Sequence, residues 1–145
     1  LAMRQMASAV EVLDGVRTTA GEPRLHFYAG LVHERMHSWQ KAADAYAQVK
    51  VEAGDLFHEA RLHRANCLSS LGKHAAALEL YKKGLDDRPD YGALVPAYAR
   101  GLGRANQPKE AELVLAKSLA EKPTPESFEA LAGLLRLPQL IGVLR

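Results

Sequence analysis

The sequence predicts an all-α fold, a solenoid of antiparallel helix pairs with about eight helices in 145 residues. Three observations point there. The first is an internal period. Ala42, Ala77 and Ala111 stand 35 and 34 positions apart, as do Tyr46, Tyr81 and Leu115, and Pro89 to Pro123 is another 34. A second column of small residues, Gly30, Ala65, Ala99 and Gly133, repeats at 35, 34 and 34. A two-helix unit at this period cannot bury its apolar face alone and stacks on its neighbours. The second observation is local: Ala77, Leu78, Tyr81 and Leu85 recur at helical spacing on one face. The third is composition, rich in Ala, Leu and Arg and poor in β-branched residues, which favours helix throughout.

These columns resemble the tetratricopeptide repeat. The small residue where helix A crosses helix B is Gly30, Ala65, Ala99 and Gly133. The small residue early in helix B is Ala42, Ala77 and Ala111, followed one turn later by Tyr46, Tyr81 and Leu115. Proline closes helix B at Pro89 and Pro123, with Gly54 in that place in the first unit. The early helix-A aromatic of the family is missing, its positions holding His26, Arg61, Val95 and Glu129. The late helix-B alanine is replaced by Val49, Gly84 and Ser118. The resemblance implies a right-handed superhelix with repeats at 23–55, 58–90 and 92–124. Residues 1–20 read as helix B of a preceding repeat, with Ser8, Val12 and Gly15 in register. Residues 126–145 read as the start of a further repeat or a capping helix. The chain therefore reads as a segment of a longer array.

Each element follows from its own punctuation. The first helix covers about 2–18, presenting Met6, Val10 and Leu13 on one side. Gly21 and Pro23 separate it from helix two, about 23–36. Helix three covers about 39–53, with Ser38 as the expected N-cap. Gly54 and Asp55 form the next connector, Asp55 capping helix four, about 56–71. Gly72 makes a tight turn into helix five, about 74–87. Helix six, about 93–105, tolerates Pro96 in its first turn. Helix seven runs from Pro108 to about Glu121. Thr124 or Pro125 opens helix eight, about 126–136, which Pro138 should stop. The apolar run after Gln139 is expected to begin a helix B or to cap the stack.

Composition narrows the function. An apolar fraction of 48% supports a continuous core. A net charge of +2 argues against an obligate nucleic-acid binder. No stretch approaches the roughly 18 apolar residues of a membrane span. The single cysteine, Cys67, excludes an internal disulfide and a cysteine-based zinc site. The composition is similar to that of a high-GC bacterium. Bacterial periplasm and cytoplasm are both compatible, and no targeting segment is read in the chain.

The resemblance implies a non-catalytic scaffold that holds a protein or peptide in a concave groove lined by helices A. It belongs to a larger assembly, such as a bacterial envelope or polysaccharide-export complex, and needs no cofactor. The inward positions are Arg24, Phe27, Tyr28, Leu31 and Arg35 in the first repeat. In the second they are Glu59, Leu62, His63 and Asn66, and in the third Ala93, Ala97, Arg100 and Arg104. Such a groove suits a partner with an apolar anchor and acidic character. Arg100 and Arg104 are one turn apart and can reach one acidic group; as solvated surface arginines they would do nothing more. Phe27 and Tyr28 are adjacent, so one should pack and the other face solvent. The carboxylate clamp of chaperone-tail adaptors is not matched, because its positions hold Phe27, Leu31, His63, Ala93 and Ala97. Self-association through exposed end helices is also expected.

Two other function classes need weighing. His33-Glu34-Arg35-Met36-His37 matches H-E-x-x-H, in which two histidines one helical turn apart bind zinc and the glutamate activates water. Here the motif straddles the end of helix two, with His37 expected in the turn, and no third ligand follows. An RNA-binding helical repeat would need base-reading side chains and a basic groove. Cys67 has His63 one turn away but no third orienting group, so it reads as a small packed residue rather than a nucleophile. Gly101-Leu102-Gly103 lacks the strand of a nucleotide fold and reads as a close helix approach.

Overall fold

The computed structural model describes residues 4–12 and 22–134. The chain divides into two compact units, Leu1–Lys73 and His74–Arg145. Among the described residues every regular element is helical.

In the first unit, residues 4–12 form α1. The expected ends of this helix, and Gly15 with them, lie outside the described residues. Ser8 and Val12, which align with Ala42 and Tyr46, are exposed, Val12 by 66%. α2 spans Pro23–Arg35, α3 Trp39–Ala47 and α4 Asp55–Ser70. α2 and α4 both pack on α3 and also meet one another. The crossing of α2 over α3 is built on the smallest residue available: a Cβ at Gly30 would lie 2.5 Å from the Tyr46 ring. Tyr46 is 1% exposed, and Ala42, Ala43 and Ala45 of the same helix are buried small side chains.

The second unit holds α5 (His74–Asp87), α6 (Leu94–Arg104), α7 (Pro108–Glu121) and α8 (Pro125–Leu134). α6 packs on α5, α7 and α8, and α7 also packs on α8. Here the close approach moves to Gly101, whose Cβ would lie 2.6 Å from the Tyr81 ring, as the sequence pattern anticipates. Gly84 is similarly crowded by Leu94, at 2.9 Å. α6 buries Ala97, Ala99 and Leu102, and α7 buries Ala111 and Leu115. The residues from 135 onward, including Pro138 and the apolar run, lie outside the described part.

Three turns, 35 and 34 residues apart, share one backbone device. His37, Gly72 and Asn106 each adopt positive φ, at 59°, 82° and 62°. The next amide reaches back five residues: Ser38 N–H donates to the His33 carbonyl, Lys73 to Leu68, and Gln107 to Leu102, at 2.8–2.9 Å. This is a Schellman ending, which satisfies carbonyls that the helix end leaves unpaired. Gly72 was legible as a tight turn. His37 and Asn106 occupy the same backbone region with a side chain attached.

The structure corrects several boundaries and caps. The helix expected over 39–53 stops at Ala47, and a 3-10 turn at Val51–Ala53 follows an extended Lys50. Gln48 and Val49 bond back three residues rather than four, and the Val49 side chain is buried. The two β-branched valines weaken helix there, and the irregular segment accommodates the additional residue of the 35-residue spacing. Ser38 stands at the N-cap but makes no side-chain cap bond. Asp55 is the first residue of α4, and the cap position belongs to Gly54, at φ 67° and ψ −125°. Thr124 does cap α8, its hydroxyl accepting from the Ser127 amide at 3.1 Å.

Candidate functional site

The first unit brings helix-A residues from two repeats together. Phe27 of α2 is buried, and its ring meets His63 of α4 edge-on at 5.7 Å and Tyr46 of α3 at 5.7 Å. Tyr28 is the exposed member of the pair, by 51%, and stands edge-on to Phe27 at 6.2 Å. Leu31 and Asn66 are half-buried, and Glu59 and Arg35 are exposed. Arg24 is exposed and bonds Glu22 at 2.9 Å. Phe27 thus holds up the surface from beneath, while Tyr28 presents a ring to solvent.

Beneath them lies a polar cluster that periodicity does not reveal. One oxygen of Glu34 is reached by three donor groups. The Tyr46 hydroxyl donates at 2.8 Å, His63 Nδ1 lies at 3.1 Å and Cys67 Sγ donates at 3.7 Å. His63 also stacks on Tyr46, with ring centroids 5.3 Å apart. Burial alone would raise the Glu34 carboxyl. The bonds from His63, Tyr46 and Cys67 and the charge of His63 outweigh it, and hold the carboxyl below its ordinary 4.5. Burial, and then the Glu34 carboxylate, push the Cys67 thiol up to about 12 and the Tyr46 phenol well above its usual range. Cys67 is therefore a buried thiol that donates to a carboxylate, surroundings that disfavour its thiolate. The partners of Glu34 are 12, 29 and 33 residues away in sequence, which is why no local pattern marks them.

A folded-state value lowered in this way stabilises the fold above the unfolded value. That contribution is lost as pH falls through the folded value. Urea midpoints of the wild-type chain should drop more steeply than those of Glu34→Gln as pH falls from neutral to below the ordinary carboxyl value of 4.5. Parallel curves for the two proteins would remove Glu34 from the account of acid sensitivity.

The H-E-x-x-H pattern does not form its helical geometry. α2 ends at Arg35, and His37 sits at φ 59° in the turn with its ring against Trp39, 5.1 Å between centroids. His33 is buried, and Glu34 is held by Tyr46 and His63. Among the described residues no group of three or more His, Cys, Asp or Glu is arranged to hold a metal ion. None of the described helices is long and apolar enough to cross a membrane.

In the second unit Arg100 and Arg104 are exposed on α6, Arg104 being its last residue. Ala93 is exposed, whereas Ala97, expected on the open face, is 1% exposed and belongs to the core.

Paired helices, small-residue crossings and a 34–35-residue register give the chain a helical-repeat fold like that of tetratricopeptide proteins. Solved structures of MamA, a protein of such repeats, share the fold. MamA AMB-1 (crystal form P212121) is similar over 96% of this chain and 83% of its own, with TM-score 0.68 and 14% identity. MamA MSR-1 (crystal form C2) is similar over 91% and 68%, with TM-score 0.61 and 19% identity. No protein-family model matches the sequence, and neither does any curated protein.

Proposed function

We propose that this chain is a non-catalytic protein-interaction scaffold that works within a larger assembly, such as a bacterial envelope or polysaccharide-export complex. The observation that carries this is Tyr28. A half-exposed aromatic, braced by a buried Phe27 whose own ring meets His63, is the kind of rigid amphipathic anchor that dominates protein interfaces. Beneath it, the Glu34 cluster ties α2, α3 and α4 together, so the surface is held in place before a partner arrives. Arg24, Arg35 and Asn66 supply a polar rim. Arg100 and Arg104 on the second unit are separate anchors for acidic groups. The partner is a protein or peptide with an apolar side chain and acidic character. The similarity to MamA supports the scaffold reading at the level of fold, which by itself does not assign a partner.

The test is capture from the native cell with the wild-type chain, Tyr28→Ala and Arg100→Glu/Arg104→Glu, each checked for helical circular dichroism. The expected result is a protein held by the wild type and reduced about tenfold or more by Tyr28→Ala. An identical set of captured proteins for all three would move recognition away from these residues.

A further inference from the structure

The second unit contains an open cavity of about 370 Å³ between the end of α5, the start of α6, the end of α7 and the start of α8. This volume falls within the range of ligand pockets, about 300–1,000 Å³. Its apolar wall is Leu85, Val95, Tyr98 and Val114, and two cations, Lys117 and Lys122, stand at its edge. Pro89, Asp90, Gly92 and Glu121 complete an exposed rim, so an extended chain can lie across the mouth.

The repeat register explains why the space is there. Val95 occupies the column that holds His26 and Arg61 in the two preceding repeats. Both of those are longer side chains and both are half-buried; Arg61 lies over the Phe57 ring at 5.1 Å. In the third repeat the residue is short and apolar, and among the described residues the wall behind it is left open. Tyr98, 7% exposed, offers a ring against which a second aromatic can pack. Of the rim acids, Asp90 lies 3.9 Å from Arg88, which offsets its charge. Lys117 and Lys122 then leave the edge with a net positive balance against Glu121.

We propose that this cavity receives an aromatic side chain from a partner protein segment, with a carboxylate next to it in sequence facing Lys117 and Lys122. The site is distinct from the Tyr28 surface and stands independently of it. The side chain supplies in trans the bulk that Val95 does not supply in cis. Burying it accounts for most of the affinity. The exposed lysines contribute orientation and a small increment.

The probe is the peptide acetyl-Gly-Trp-Asp-Gly-amide, titrated into the 15N-labelled full chain and followed by amide shifts. The expected shifts centre on Val95, Tyr98, Val114 and Lys117. Replacing the peptide's Trp by Ala should weaken binding about tenfold or more. Replacing its Asp by Asn, or making Lys117→Glu/Lys122→Glu, should weaken it about threefold. Val95→Trp fills the cavity and should abolish binding. Absence of shifts at millimolar peptide, shifts centred elsewhere, or unchanged affinity in a folded Val95→Trp chain would each overturn the proposal. Should Val95→Trp fail to fold, equal binding of the Trp and Ala peptides overturns it in the same way.

Discussion

Tyr46→Ala is expected to destabilise the first unit by about 3–5 kcal/mol. Its ring is 1% exposed and fills the crossing over Gly30, so truncation opens a void against a backbone that has no side chain to move in. The loss goes beyond packing. His63 loses the ring it stacks on, and the half-buried Glu34 loses its shortest hydrogen bond. Against a total of about 5–15 kcal/mol for a whole domain, such a loss is close to unfolding. Tyr46→Phe isolates the polar share, because it keeps the ring and removes the donor. Urea denaturation followed by helical ellipticity gives both values. A Tyr46→Ala cost below about 1 kcal/mol would mean that the crossing does not depend on this ring.

In the second unit the largest effect is expected at Tyr81, and it should depend on the residue at 101. Tyr81→Ala alone should cost about 3–5 kcal/mol, since the ring is buried against Gly101 and near Tyr98, at 6.0 Å. Gly101→Ala alone should also destabilise. Overpacking against the Tyr81 ring costs about 1–3 kcal/mol, while alanine recovers only about 0.5–1 kcal/mol of helix preference. Once Tyr81 is alanine, the clash is gone and Gly101→Ala becomes stabilising. A double-mutant cycle should thus give a coupling of about 2 kcal/mol. Additive costs in the cycle would show that glycine is required at 101 for some reason other than the tyrosine ring.

Both predictions rest on columns that were legible in the sequence. The period pointed to a helical solenoid and to the crossing of Gly30 and Tyr46, because a repeated small residue facing a repeated large one has few uses other than a helix crossing. Helix starts at Pro23, His74 and Pro108 were likewise readable, two from proline at the first helical position and one from the turn at Gly72 before it. What periodicity could not reach was whatever one repeat does alone. The early end of α3 reflects Val49 and Val51 and one additional residue, none of which recurs. The caps at Ser38 and Asp55 were read from residue type, and type does not guarantee the bond. The Glu34 cluster joins three helices of the first unit, and only Tyr46 among its members stands in one of the repeated columns. Glu34 drew notice only through an H-E-x-x-H pattern whose second histidine the chain turns away. That Phe27 packs and Tyr28 does not follows from which side of α2 meets α3 and α4, which adjacency in sequence leaves open.

The three Schellman turns carry a consequence for how this protein tolerates change in length. Each joins helix A to helix B through backbone bonds alone, with no spare residue, in a glycine, an asparagine or a histidine alike. The opposite connectors differ from one another in length and form, from the 3-10 segment at Val51–Ala53 to the short link at Lys122–Thr124. Insertions, tags or grafted loops therefore have one permissive edge and one forbidding edge. A foreign segment placed between Lys50 and Gly54 should leave the helices as they are, whereas one placed at His37 or Asn106 would prise apart a helix pair, α2 from α3 or α6 from α7.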